Sequence, residues 1–223
     1  MLRVKMCGFK DSETLRYACE NGADAIGLNF CASSRRYVNI DTARALARCI
    51  PSFVSTVALF VNADASSVKE VVAEVPVNTL QFHGSEAGAF CEQFAVPYIK
   101  AIGIAPQAQS EELVFEHLLA QISEHPRATG FLLDTKVGGT SGGTGQRFDW
   151  AAIAKVLARE PLAEALSRQS LIIAGGLTPD NALECASAFA PHALDVSSGI
   201  ESSPGEKSRE KILAFMKSVS TLR

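Results

Sequence analysis

A thiol and a carboxyl stand out in the 223-residue sequence because each closes a short apolar run. Cys7 ends Arg3-Val4-Lys5-Met6-Cys7 and is followed by Gly8 and by Asp11, a helix-capping residue type. A thiol near a helix N-terminus is expected to ionise more readily, and the thiolate can act as nucleophile or general base; a buried, inert thiol is the commoner fate of a lone cysteine. Lys5 lies one pleat repeat before Cys7 and shares its face. Asp134 ends Phe131-Leu132-Leu133-Asp134. Three large apolar residues before it would partly desolvate it, which suits a general acid near neutral pH; capping the next turn is its ordinary role. The pair suggests proton transfer at a carbon atom, with no metal and no redox cofactor.

Other segments have the chemistry of an anion site. Gly175-Gly176-Leu177-Thr178-Pro179-Asp180-Asn181 and Ser197-Ser198-Gly199-Ile200-Glu201 each follow an apolar run. Small residues there let backbone N–H groups approach a phosphate beside a helix N-terminus. Gly175, Gly176, Ser198 and Gly199 are the candidates. Arg36 could fork onto a substrate carboxylate, or belong to a solvated basic loop with Arg35. His83, two residues after Gln81 and on its face, is either a satisfied core histidine or a substrate contact. Asp195 could bind a sugar hydroxyl or balance a charge in the interior. The run from Gly138 to Gly145 holds five glycines in eight positions and reads as a mobile lid, a close-approach loop or an ordinary connection.

What must position these groups is a series of strands and helices in alternation. The strand candidates are 3–7, 25–30, 55–61, 79–83, 98–102, 130–135, 170–174 and 194–197, and most are continuously apolar, as strands buried on both faces are. Helix candidates lie between and after them, at 11–20, 41–49, 64–74, 85–94, 110–123, 149–158, 179–188 and 204–219. Asp11, Asp41, Asp64, Ser85, Ser110, Asp149 and Thr178 read as their caps. Eight such units predict a single-domain (β/α)8 TIM barrel over residues 1–223, of the α/β class, with an open doubly wound sheet as the competing layout. In a barrel, chemistry belongs where strands end, which is where Cys7, Asp134 and the glycine pairs fall.

Composition narrows the function class. The chain is 47% hydrophobic and 20% charged with a formal net charge of −3, which fits a packed core and gives no basic patch for nucleic acid. No segment approaches the ~18 consecutive apolar residues of a membrane helix, and the N-terminus has no signal-peptide pattern. Six cysteines form no CxxC pair and four histidines are scattered, so free thiols in a reducing cytoplasm are expected, without a metal site or bound cofactor. The residues lead to a barrel enzyme acting on a phosphorylated small molecule, as monomer or homodimer; a non-catalytic phosphate-binding barrel or another phosphosugar enzyme are the alternatives.

The whole chain resembles the phosphoribosylanthranilate isomerase family of tryptophan biosynthesis. The resemblance rests on Val4-Lys5-Met6-Cys7-Gly8, Gly22-Ala23-Asp24-Ala25-Ile26-Gly27, Arg36-Tyr37, Leu80-Gln81-Phe82-His83-Gly84, Leu133-Asp134-Thr135, Phe148-Asp149-Trp150, the Ala174–Asn181 segment and Asp195–Glu201, in the family's order. It implies a (β/α)8 barrel catalysing an Amadori rearrangement of N-(5-phosphoribosyl)anthranilate. It further implies Cys7 as general base, Asp134 as general acid, Arg36 as holder of the anthranilate carboxylate, and Gly175, Gly176, Ser198 and Gly199 at the phosphate. Arg35 stands where the family often has Pro.

Overall fold

The computed structural model describes residues 1–105, 110–137, 140–141 and 147–223. Eight parallel strands close into a barrel: β1 (Arg3–Cys7), β2 (Ala25–Asn29), β3 (Ser55–Phe60), β4 (Thr79–Phe82), β5 (Tyr98–Ile104), β6 (Gly130–Val137), β7 (Ser170–Ile173) and β8 (Ala193–Val196). Each pairs with the next, and β8 returns to β1 with Lys5 opposite Asp195. The pairing of β5 with β6, which sets Gly103 opposite Asp134, completes the ring and removes the open-sheet alternative. Helices α1 (Ser12–Glu20), α2 (Ile40–Ala47), α3 (Ala65–Glu74), α4 (Gly88–Glu92), α5 (Glu111–Glu124), α6 (Trp150–Leu157), α7 (Ala182–Phe189) and α8 (Arg209–Ser218) follow the strands in turn.

The two-residue period of the strands sorts side chains between two layers. Outward residues such as Val4, Met6, Ile26, Leu28, Phe82 and Leu133 join the helices in one large apolar cluster. Inward, Ala101, Leu132, Ile172 and Ala174 form a small separate cluster. Polar residues share that interior, with Lys5, Gln81 and Asp195 buried, so the apolar fill closes only part of the barrel and the remainder is available to chemistry.

Several boundaries depart from the sequence reading. Asp11, Asp64, Ser110 and Asp149 cap their helices by accepting from the backbone three residues on. Asn39, not Asp41, caps α2. Ala87, not Ser85, precedes a shortened α4. Asn181, not Thr178, precedes α7; it spends its side chain on the loop instead, accepting from Thr178 N and donating to Gly176 O. Cys49 falls in the turn after α2 rather than within a helix. The last helix starts at Arg209 because 201–207 forms a small antiparallel hairpin, Glu201–Ser203 with Glu206–Lys207, after a 3-10 turn at Ser198–Ile200. A two-residue strand, Thr140–Ser141, pairs antiparallel with the end of β6. Most of the glycine-rich run, and with it the expected lid, lies outside the described residues.

Candidate active site

The strand ends open into a cavity of about 1110 Å³. Cys7, Arg36, His83, Asp134, Gly175, Gly176, Asp195 and Ser198 all line it. Eight of the nine sequence candidates therefore meet in one space. Gly199 does not line the cavity. It is tucked under the preceding loop, where a Cβ would run into the Leu177 carbonyl oxygen, and so it lets the loops after β7 and β8 touch. Gly175 and Gly176 hold φ of 83° and 66°, a region that disfavours other residues. A Cβ on Gly175 would also collide with Thr135 Oγ1 and come to 3.0 Å from Asp134 Oδ1.

Cys7 is buried at the end of β1, and a Cβ at Gly27 on neighbouring β2 would come within 2.6 Å of its sulfur. The thiol is not the readily ionised group expected from a nearby helix end. Burial pushes it above its ordinary value; Lys5 pulls it back, Asp195 adds to the push, and Lys207 pulls again. Helix α1 starts only at Ser12, with its first turn already satisfied by Asp11. The cations near the sulfur are instead Lys5 on β1 and Lys207 on the hairpin after β8. Lys5 Nζ lies 2.9 Å from Asp195 Oδ1 in a buried ion pair. Burial would lower Lys5, but Asp195 and Cys7 outweigh it and hold the ammonium above its ordinary value. Asp195 thus balances the Lys5 charge while it also lines the cavity.

Asp134 is buried across the barrel from Cys7, three strands away through β8 and β7 and five through β2 to β5. Its Oδ1 accepts from Thr135 N at 2.7 Å. His83 Nε2 lies 3.1 Å from Asp134 Oδ2, within ion-pair range but outside hydrogen-bond geometry, while Gln81 Nε2 lies 3.0 Å from His83 Nδ1. Gln81 Oε1 and His83 Nε2 are buried without a hydrogen-bond partner among the described residues. Such groups cost free energy unless something polar meets them, so a polar ligand beside Asp134 has partners waiting. The end of β4 is fixed by a buried network on the helix-facing side of the barrel that the sequence reading missed. Glu86 accepts from Asn62 N and Gly84 N, and buried Lys100 bridges Glu86 Oε2 at 2.9 Å to Gly84 O at 2.6 Å. The sequence signal was a lysine inside the apolar run of β5.

Arg36 is not a solvated loop residue. Its Nε and Nη2 donate to Glu201 Oε1 and Oε2 at 2.6 and 2.8 Å. Its stem lies on Gly8, where φ is 87° and a Cβ would strike Arg36 Cδ. Lys207 Nζ, 2.9 Å from Glu201 Oε1 and 3.0 Å from Ser197 O, joins this network. Glu201 and Lys207 were not singled out from sequence. Glu201 stands in a motif read for its small residues, and Lys207 reaches the site only through the hairpin.

Comparison with known proteins gives the family and the fold. The family model described as N-(5'phosphoribosyl)anthranilate (PRA) isomerase matches residues 4–218. An N-(5'-phosphoribosyl)anthranilate isomerase of Pseudomonas fluorescens is 42% identical over 98% of this chain and 95% of its own, and one of Cellvibrio japonicus is 42% identical over 96% and 92%. Among solved structures, the phosphoribosyl anthranilate isomerase of Thermotoga maritima superposes with a TM-score of 0.83 at 34% identity, covering 99% of this chain and all of that one. An isomerase in complex with reduced 1-(o-carboxyphenylamino)-1-deoxyribulose 5-phosphate gives a TM-score of 0.79 at 32% identity, with the same coverage. The chain belongs to the N-(5'-phosphoribosyl)anthranilate isomerase family.

Proposed function

We propose that this chain catalyses the Amadori rearrangement of N-(5'-phosphoribosyl)anthranilate to 1-(2-carboxyphenylamino)-1-deoxyribulose 5-phosphate in tryptophan biosynthesis. Residues 1–223 act as one catalytic domain in the cytoplasm, as monomer or homodimer, without a cofactor. The observation that carries this reading is a thiol and a carboxyl from nearly opposite strands facing one cavity. Asp134, protonated, gives its proton to the ribose ring oxygen. The C1'–O bond breaks as the anthranilate nitrogen forms an iminium at C1'. That cation acidifies the C2' proton, which the Cys7 thiolate removes. The resulting enolamine takes a proton at C1', loses the one on the C2' hydroxyl, and becomes the ketone. A thiol raised by burial is scarcely ionised but strongly basic once it is, and Lys5 offsets part of that cost.

Arg36 holds the anthranilate carboxylate, and His83 contacts the substrate beside Asp134. Asp195 acts through Lys5. Backbone at Gly175, Gly176 and Ser198 binds the phosphate, with Gly199 providing the close loop contact. Freshly prepared phosphoribosylanthranilate, mixed with the purified protein in the presence of a chelator, should lose its anthranilate fluorescence at a rate proportional to enzyme. A rate equal to the protein-free control would overturn the assignment.

A further inference from the structure

We propose that Glu201 is a positioning residue that fixes the Arg36 guanidinium in the cavity wall before substrate arrives, leaving Nη1 to engage the carboxylate. This rests on the reading that Arg36 binds the anthranilate carboxylate. The Glu201 side chain is 4% exposed, and each of its oxygens has two donors. Oε1 accepts from Arg36 Nε and Lys207 Nζ, and Oε2 from Arg36 Nη2 and Gly205 N at 3.1 Å. Burying a carboxylate is costly unless it is satisfied in this way. Burial pushes Glu201 up, but Arg36, Lys207 and Gly205 together hold it at about 2, so it stays ionised at any working pH. Among the described residues, Arg36 Nη1 donates to nothing.

The chain around Glu201 is built to keep this arrangement. The hairpin reverses at Gly205, with φ of 90°, which returns both Gly205 N and Lys207 to the carboxylate. Lys207 is tied to Ser197 O at the end of β8, and Lys211 Nζ from α8 donates to Glu201 O at 2.6 Å. At the other end, Gly8 lets the Arg36 stem lie directly on the β1 loop. An arginine held at stem and head has lost its rotamer freedom on folding. It therefore does not lose it again on binding, and a bidentate partner fixes the plane in which the remaining nitrogen lies.

The test measures binding by calorimetry of two probes, reduced 1-(o-carboxyphenylamino)-1-deoxyribulose 5-phosphate and its counterpart without the carboxylate, to the unmodified protein, R36A, E201Q and R36A/E201Q. For E201Q the Kd of the carboxylated probe should rise at least ~10-fold and that of the other probe less than ~2-fold, and KM should rise more than kcat falls. R36A/E201Q should bind no more weakly than R36A, because Glu201 acts through Arg36. If R36A binds both probes normally, the reading of Arg36 itself is wrong. If R36A loses the carboxylated probe and E201Q does not, or binds it more tightly because the glutamate competes with the ligand, only the present inference fails. Should E201Q not fold, the unmodified protein decides. Its Arg36 Nε–H resonance, identified by its absence in R36K, should stay protected from solvent exchange when the carboxylated probe saturates the site. Exchange on binding would mean that Arg36 leaves Glu201 to reach the ligand.

Discussion

Gly27→Ala tests how tightly the thiol must be placed. Gly27 sits opposite Cys7 in the β1–β2 register, and Gly8 N donates to its carbonyl at 2.8 Å. An added Cβ would stand 2.6 Å from Cys7 Sγ and 3.1 Å from Cys7 Cα and Cβ. The sulfur must retreat by roughly 0.8 Å to reach the 3.4 Å at which ordinary contact begins. The strand cannot yield freely, because β1 is paired on both sides. Overpacking of this kind costs about 1–3 kcal/mol, which lowers the Tm by about 2–4 °C for each kcal/mol in a chain of this size. Displacing a reacting group by about 1 Å costs on the order of 10²-fold in rate, so kcat should fall by about that factor while the substrate KM changes little. Steady-state fluorescence assays beside calorimetric melting measure both. In a Cys7→Ala background the same substitution should cost no further rate. A folded Gly27→Ala protein with near-normal kcat would refute the placement of Cys7 at the reacting carbon.

Asp134→Asn and Cys7→Ala should each lower kcat by at least ~10²–10⁴-fold with far-UV circular dichroism unchanged; near-normal turnover in either removes that residue from the chemistry. Lys5→Met leaves Asp195 buried and unpaired, which should cost about 3–5 kcal/mol in urea unfolding. Because Lys5 pulls the Cys7 thiol down, its removal should shift to higher pH the limb of the kcat/KM profile that the thiol sets; an unmoved limb would separate Lys5 from the base. Two buried groups should weaken the fold in acid. His125 is lowered by burial from 6.5 to about 4, and Glu201, despite its burial, is lowered from 4.5 to about 2 by Arg36, Lys207 and Gly205. In both cases the unfolded chain binds the proton more tightly, so their contribution is complete above the unfolded value. It is lost as pH falls, from 6.5 to about 4 for His125 and from 4.5 to about 2 for Glu201. His125→Asn should flatten the upper part of the urea-midpoint profile and Glu201→Gln the lower part.

The strands were legible in the sequence because a barrel buries both faces of its sheet, and Val57-Ala58-Leu59-Phe60 or Leu171-Ile172-Ile173 then read as unbroken apolar runs. Helix starts were legible where a capping side chain meets its own first turn, as Asp64 does with Ser67 N. They were misread where two polar residues compete, as Asn39 and Asp41 do, since either type can cap and only the local backbone decides. The hairpin at 201–207 was missed because Pro204 and Ser208 also suit a helix start, and a pairing two residues long leaves no periodic signal. At the site, Cys7 and Asp134 were singled out because a polar residue closing an apolar run is a local feature, although β6 itself runs on to Val137. The partners of those groups were not. That Lys5 meets Asp195 across 190 positions, and Arg36 meets Glu201 across 165, follows from barrel closure rather than from spacing. The same reason explains the wrong sign expected for Cys7, since its burial is a property of the closed interior.

A crystal structure with reduced 1-(o-carboxyphenylamino)-1-deoxyribulose 5-phosphate in the cavity bears most directly on the shared action of Cys7 and Asp134. The sulfur should lie within about 3.5 Å of the carbon derived from C2', and the Asp134 carboxyl within hydrogen-bond distance of the oxygen that closed the ribose ring, on the other side of the sugar chain. A fully occupied ligand whose ribulose carbons lie away from either group would contradict the assignment of that group as acid or base.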